Sequence, residues 1–377
     1  MTKYLFLYII ANSQDLSIGS SFLSCDTIKH MFTEKISPLL VNGLLIIALI
    51  ILSVFIMTTA SSILIPLCIG IFLTLFIYPL SRKLVAIKIP KSIALFLAGC
   101  ITFIISGAVV MGIGILVKTF IATLPSYADT VNHNVLVIQQ FISTIVNIPV
   151  QSQLDYLATH APVAELASTY IPKILSGVTS LFGTLGLSII FSVFILAYRH
   201  TFKKFILSIT APDRRSMTDT IFKKANKLIP HYLFGMMLSI GVLAVLNCVG
   251  FAIIGVPQPI FWGVVTALLN IIPYVGTLFG FISVIIFSFF TAGPITAAWC
   301  IALFMIIQFI DNNITTPFIT GRGIQINPLA SILGIIILGN IWGIAGMILA
   351  LPILGIIKIM ADHIPELHPI KILISNE

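Results

Sequence analysis

Long uncharged apolar runs separated by short polar breaks make up most of this chain. Leu39 to Ala60 carries no charge, and a helix of about 20 apolar residues covers the ~30 Å hydrocarbon core of a bilayer. Comparable runs follow at Ile63 to Leu80, Ser92 to Val117, Ile174 to Tyr198, Tyr232 to Ile254, Ile260 to Phe290, Pro294 to Ile310 and Leu329 to about Leu354. The pattern predicts about eight transmembrane helices. Ser37-Pro38 and Asn327-Pro328 read as helix starts, with proline at the first helical position. Ile260 to Phe290 is long for one span and is interrupted at Pro273, so it is either a proline-broken crossing or a re-entrant hairpin.

Two stretches depart from this pattern. Residues 118–173 are hydrophilic, and within them Val131, Val135, Ile138, Ile142 and Ile145 draw one apolar stripe down a helix. The stripe packs on neighbouring helices or makes a subunit contact. In residues 199–230, Met217, Ile221, Ala225 and Leu228 lie on one face and most of the basic residues off it. That pattern fits a basic amphipathic linker on an anionic leaflet, or a solvated charged linker.

Composition agrees. The 377 residues are 58% hydrophobic and 8% charged, against roughly 25% charged in a typical soluble domain. Twelve of the twenty Lys and Arg fall in residues 81–91 and 199–227, and the net charge is +8. By the positive-inside rule these two segments are cytoplasmic, so residues 118–173 lie outside and the amino terminus inside; the carboxyl terminus is inside too if Ile260 to Phe290 crosses once, and outside if it is re-entrant. The expected organisation is a cytoplasmic tail (1–38), helices 1–3 (39–117), an extracytoplasmic helical segment (118–173), helix 4 (174–198), the basic linker (199–230), helices 5–8 (231–357) and a second cytoplasmic tail (358–377). No folded domain presents a basic face for nucleic acid. The five cysteines form no CxxC pair and read as small buried or lipid-facing residues.

Candidate chemistry concentrates between Leu228 and Ile357, where Asp311 and Arg322 are the only residues of the Asp, Glu, Lys and Arg types. Pro273 removes a backbone donor and frees carbonyls that lipid cannot satisfy. Asn270 and Tyr274 are placed to satisfy them or to bind a polar solute. Gly276 and Gly280 offer a face for close helix approach, as do Gly339, Gly343 and Gly346 on the last span. An acid within a span is expensive, about 2.5–3.5 kcal/mol at mid-helix, which marks Asp311 as a site candidate. Gln308, Asn312 and Asn313 add oxygen ligands suited to a transient hard cation. No enzyme signature, resident metal site or cofactor motif is present.

The carboxyl-terminal half resembles the autoinducer-2 exporter (AI-2E) family of bacterial membrane proteins. The matching residues are Phe261-Trp262-Gly263, Ala267 through Gly276, Asp311-Asn312-Asn313, Pro317, Asn327-Pro328-Leu329 and Gly343 through Pro352. The resemblance covers about residues 39–360. Where the usual family pattern places a second proline after the Pro-Tyr-Val-Gly run, this chain has Thr277. The resemblance implies a multi-pass permease of the bacterial inner membrane. The family is named for export of autoinducer-2, and some members are regarded as sodium or lithium/proton antiporters.

Three readings follow. The first is a secondary transporter exporting a small polar solute, with Asn270, Pro273, Tyr274, Gly276, Gln308, Asp311, Asn312 and Asn313 along the path. The second is a monovalent cation/proton antiporter using Asp311. The third is a non-transporting membrane scaffold. A homo-oligomer is compatible with each.

Overall fold

The computed structural model describes residues 38–146, 149, 151–152, 163–273, 275–315 and 326–375. All but the last residue of the predicted 1–38 tail, together with Tyr274, Pro317 and Arg322, lies outside them. Among the described residues the regular secondary structure is helical apart from one isolated antiparallel bridge between Ile326 and Ser375. In order the helices are α1 (Pro38–Thr59), α2 (Ser61–Ala86), α3 (Lys91–Thr123), α4 (Ala128–Val146), α5 (Val163–Ala197), α6 (Arg199–Ile209), α7 (Arg215–Ile254), α8 (Pro259–Leu269), α9 (Val275–Thr291), α10 (Pro294–Ile310), α11 (Pro328–Ala361) and α12 (His368–Ile374). Seven of the helical stretches are long and apolar enough to cross a membrane, and α8 and α9 are shorter apolar helices. The molecule is an all-α polytopic membrane protein.

Met1–Met57 and Thr58–Glu377 form two compact units. In the first, α1 exposes Leu44, Leu45, Ile46, Ile47 and Phe55 around its circumference. A helix apolar on every side and buried on none has hydrocarbon as its solvent.

The second unit begins with α2, α3 and α5 packed together. Ile77, Ala98, Ile189 and Leu196 form their shared core. A Cβ at Gly70 would come within 2.7 Å of the Ser188 carbonyl oxygen. Only glycine therefore lets the α2 and α5 backbones approach so closely, as small residues do in lipid. Beside it the hydroxyls of Thr74 and Ser192 share a hydrogen bond of 3.1 Å. The striped segment forms α4, whose Asn134 Nδ2 donates to the Phe290 carbonyl at 2.8 Å.

Residues 199–230 divide into the separate α6 and the first four turns of α7, which continues unbroken into the fifth predicted span. Lys203 on α6 and Lys223 on α7 both hold Asp219, at 2.5 and 2.8 Å. These hydrogen bonds, that of Lys203 foremost, pull the carboxyl from its usual 3.8 to about 2. The folded value is the lower one, so the contact's contribution is present above the unfolded pKa and fades as pH falls through the folded one. The protection of amides in residues 199–209, relative to their intrinsic exchange rates at each pH, should accordingly fall between about pH 4 and pH 2 in the native protein. Asp219→Asn should show the lowered protection already at neutral pH.

The sixth predicted segment is a helical hairpin. α8 rises about 16 Å and α9 about 25 Å at 1.5 Å per residue, so α8 alone covers about half of the hydrocarbon core. Contacts between the two descend in antiparallel order. Leu269 lies against Gly276, Thr266 lies against Gly280, and the Trp262 and Phe287 rings are centred 5.1 Å apart. Both bases sit at the α4 end, where Gln258 Nε2 donates to Thr123 Oγ1 at 3.2 Å and Phe290 accepts from Asn134.

The eighth predicted segment also turns back, at Gly343, a reversal not foreseen from the sequence. Gly343 has φ +60° and ψ −141° inside the 34-residue α11. Side chains rarely adopt that backbone region, and glycine enters it freely. The arms on either side face each other, with Leu338 against Gly346, Gly339 against Met347 and Gly334 against Leu354. Gly339 and Gly346 thus make their close contacts within one hairpin, between the two arms of α11.

The base of this second hairpin lies at the basic end of the molecule. Asn327 donates to the carbonyls of Leu373 and Ser375 at 2.7 and 3.3 Å, and Arg214 pairs with Glu366 at 2.6 Å. The two hairpins therefore enter from opposite sides. Asn327 also caps α11, accepting from the Ala330 N–H at 2.7 Å. Asn327→Ala removes this cap and both tail bonds, and should lower stability in detergent by about 1–2 kcal/mol, measured by denaturant unfolding.

Candidate functional site

The hairpins meet inside the molecule. Ile272, at the turn of the first, packs with Ile335 and Ala350 from the two arms of the second, flanked by Ile271, Val275, Leu338 and Met347. The turn is built by the proline break. Asn270, Ile271 and Ile272 still donate to the carbonyls of Thr266, Leu268 and Leu269, at 3.3, 3.1 and 3.0 Å. Pro273 cannot donate. The next arm starts afresh, with Gly276 N–H bonded to the Ile272 carbonyl at 2.9 Å. A Cβ on Gly276 would overlap the Leu269 carbonyl oxygen.

Asn270 does not stand free at this turn. Its Oδ1 accepts from the Thr277 hydroxyl, which ties the end of α8 to the start of α9. A proline at position 277 would have no hydroxyl with which to make that clasp. Thr277 is a functional candidate that stands out in the sequence only as a departure from pattern.

Asp311 ends α10 and opens a single π-helical turn, Asp311–Thr315. Such turns recur at functional sites. Its carboxylate is buried, and Ser239 of α7 donates to Oδ1 at 3.4 Å. Ser239 is a second candidate invisible in sequence, one hydroxyl among many in apolar runs. The remaining residues of the run lie apart from this contact. Gln308 Nε2 bonds Asn312 Oδ1 at 3.1 Å, Asn313 Nδ2 bonds the Phe309 carbonyl at 2.9 Å, and both asparagines are exposed.

α9 and α10 pack antiparallel, with Ser288 beside Cys300 and the Phe281 and Phe304 rings 4.7 Å apart. Carried about one turn further along α9, this register sets Thr277 level with Gln308 to Asp311. The hairpin turn and the buried acid thus share one depth in the bundle. Gly280 fits against Thr266, while Gly339, Gly343 and Gly346 shape the second hairpin.

Discontinuous helices entering from opposite faces, with a buried acid at the level of one turn, define an integral membrane protein of the transporter class. The model of the AI-2E family transporters matches residues 44–366, and the chain belongs to that family. Among its relatives is the Bacillus subtilis (strain 168) protein named "Putative transport protein YrrI", 25% identical over 80% of this chain and 86% of that one. Another is the Escherichia coli (strain K12) "AI-2 transport protein TqsA", 22% identical over 89% of this chain and 96% of that one.

Proposed function

We propose that this transporter moves a small polar solute out of the cell by a secondary mechanism, with the turn of the first hairpin lining the route. The observation that carries the reading is the meeting of the two opposed hairpins through a small apolar contact, Ile272 against Ile335 and Ala350. Sliding one hairpin on the other exposes the turn to either side at the cost of a few side-chain contacts, whereas a continuous spanning helix would have to move whole. Asn270, Pro273 and Gly276 form or adjoin the turn, and Tyr274 follows Pro273 in the sequence; Asp311 stands at the level of the turn. The name of the Escherichia coli relative makes autoinducer-2 the first cargo to test. Cells overproducing the protein should lose it faster than cells producing Asn270→Leu, by about tenfold if a buried solute hydrogen bond is lost. Equal efflux overturns the assignment.

The burial of Asp311 against Ser239 favours a second reading, in which the carboxylate carries a monovalent cation or proton as the driving ion. The two readings are compatible, since a coupled exporter needs both a solute route and an ion site. The basic loops place α6 and both chain ends on the cytoplasmic side of a bacterial inner membrane in this proposal.

A further inference from the structure

The α2–α3–α5 group holds a feature that the hairpins do not use. An apolar groove of about 660 Å³ runs between α3 and α5, lined by Phe96, Cys100 and Phe103 on one wall and Gly186, Ile190 and Phe194 on the other. From Phe96 to Ile104 its wall extends about 12 Å along α3.

One end of the groove is basic. Phe96 lies five residues beyond Lys91, and Phe194 lies five residues before Arg199. At that end Arg199 and Arg82 both stack on the ring of Tyr78, with guanidinium carbons 4.6 and 5.9 Å from its centroid. Among the described residues every ion pair is made elsewhere. Asp219, Glu366 and Asp362 are taken by Lys203, Lys223, Arg214, Lys358 and Lys371. Two guanidiniums gathered on one tyrosine, neither paired with a carboxylate, offer positive charge and N–H donors suited to a phosphodiester. Next to them α6 exposes Phe202, Phe205 and Ile209 along one face, as a helix lying in the membrane interface does.

We infer that Arg82, Arg199 and Tyr78, together with the α3–α5 groove, form a binding site for one anionic phospholipid. An acyl chain lies in the groove and the phosphodiester headgroup sits at the two guanidiniums. The apolar walls account for the chain, and the uncompensated positive charge selects an anionic headgroup over a zwitterionic one. The site lies outside the hairpins, so its occupancy bears on how the bundle is held in its leaflet.

The test is lipid titration of the purified full-length protein in detergent, read by native mass spectrometry. Dioleoyl phosphatidylglycerol should bind in preference to dioleoyl phosphatidylcholine. Arg82→Gln and Arg199→Gln should each weaken the phosphatidylglycerol adduct roughly fivefold, and Cys100→Trp, which fills the groove, should weaken both lipids. Lys224→Gln, an exposed residue remote from Tyr78 in the chain, should change nothing. Circular dichroism melting of each variant separates lost binding from lost fold. Equal affinity for the two lipids, or unchanged phosphatidylglycerol binding in the arginine variants, overturns the inference. Competition by inorganic phosphate as strong as by the lipid would show a soluble-anion site and overturn it as well. So would protection of the Cys100 thiol that rises with protein concentration and ignores lipid, since a second copy would then cover the groove.

Discussion

Gly276→Ala is expected to prevent closure of the first hairpin, with a loss of about 3 kcal/mol or more of stability and of all transport. The added Cβ would fall on the carbonyl oxygen of Leu269, a backbone atom that no rotamer change can move aside. Ordinary overpacking costs about 1–3 kcal/mol because side chains shift; here the turn itself must open. Opening it also breaks the Thr277 to Asn270 clasp and lifts Ile272 from Ile335. The control is Gly241→Ala on α7, whose added Cβ meets nothing within 4 Å. In mid-helix that change should stabilise by about 0.5–1 kcal/mol. Unfolding in a graded detergent series should therefore move the two variants in opposite directions. Equal midpoints would mean that the hairpin does not close as described.

The second large effect is expected at Asp311. Asp311→Asn should abolish ion-driven transport in proteoliposomes, by about a hundredfold or more, while the protein remains folded. Asparagine keeps the Oδ1 that accepts from Ser239 and is nearly the same size, so packing and the π turn survive. What it removes is the ability to hold a proton or a net negative charge, on which cation coupling depends. Salt-dependent quenching of a pH-sensitive dye in vesicles measures this directly. Unchanged quenching in the variant would remove Asp311 from the coupling mechanism and leave the solute-route proposal to stand or fall on Asn270.

Much of this architecture was legible in the chain. An uncharged run of twenty residues admits few structures in lipid, because every backbone donor must be satisfied within the segment. The break at Pro273 was legible for the same reason, since proline removes a donor wherever it stands. Asp311 was legible because an acid is costly in an apolar tract and stands out there by its charge alone. The reversal at Gly343 was not. A segment that turns back has the same composition as one that continues, and a glycine needed for positive φ looks like one needed for helix contact. Gly343, which takes positive φ between the contact glycines Gly339 and Gly346, shows this ambiguity directly. Ser239 and Thr277 were hidden too, because an intrahelical bond, as Thr291 makes to Phe287, looks the same in sequence as a bond between elements.

The residues by themselves determined the solvent of this protein, the approximate number and limits of its helices, and which few polar groups had to be accounted for inside them. Hydrophobic burial and backbone satisfaction are local demands, met segment by segment. Tertiary structure alone decided which segments cross and which return, that the two returning ones enter from opposite faces, and that Asp311 rests on Ser239 at the level of the first turn. Those are relations between residues distant in the chain, set by which surfaces fit together, and hydropathy along a single line carries no record of them.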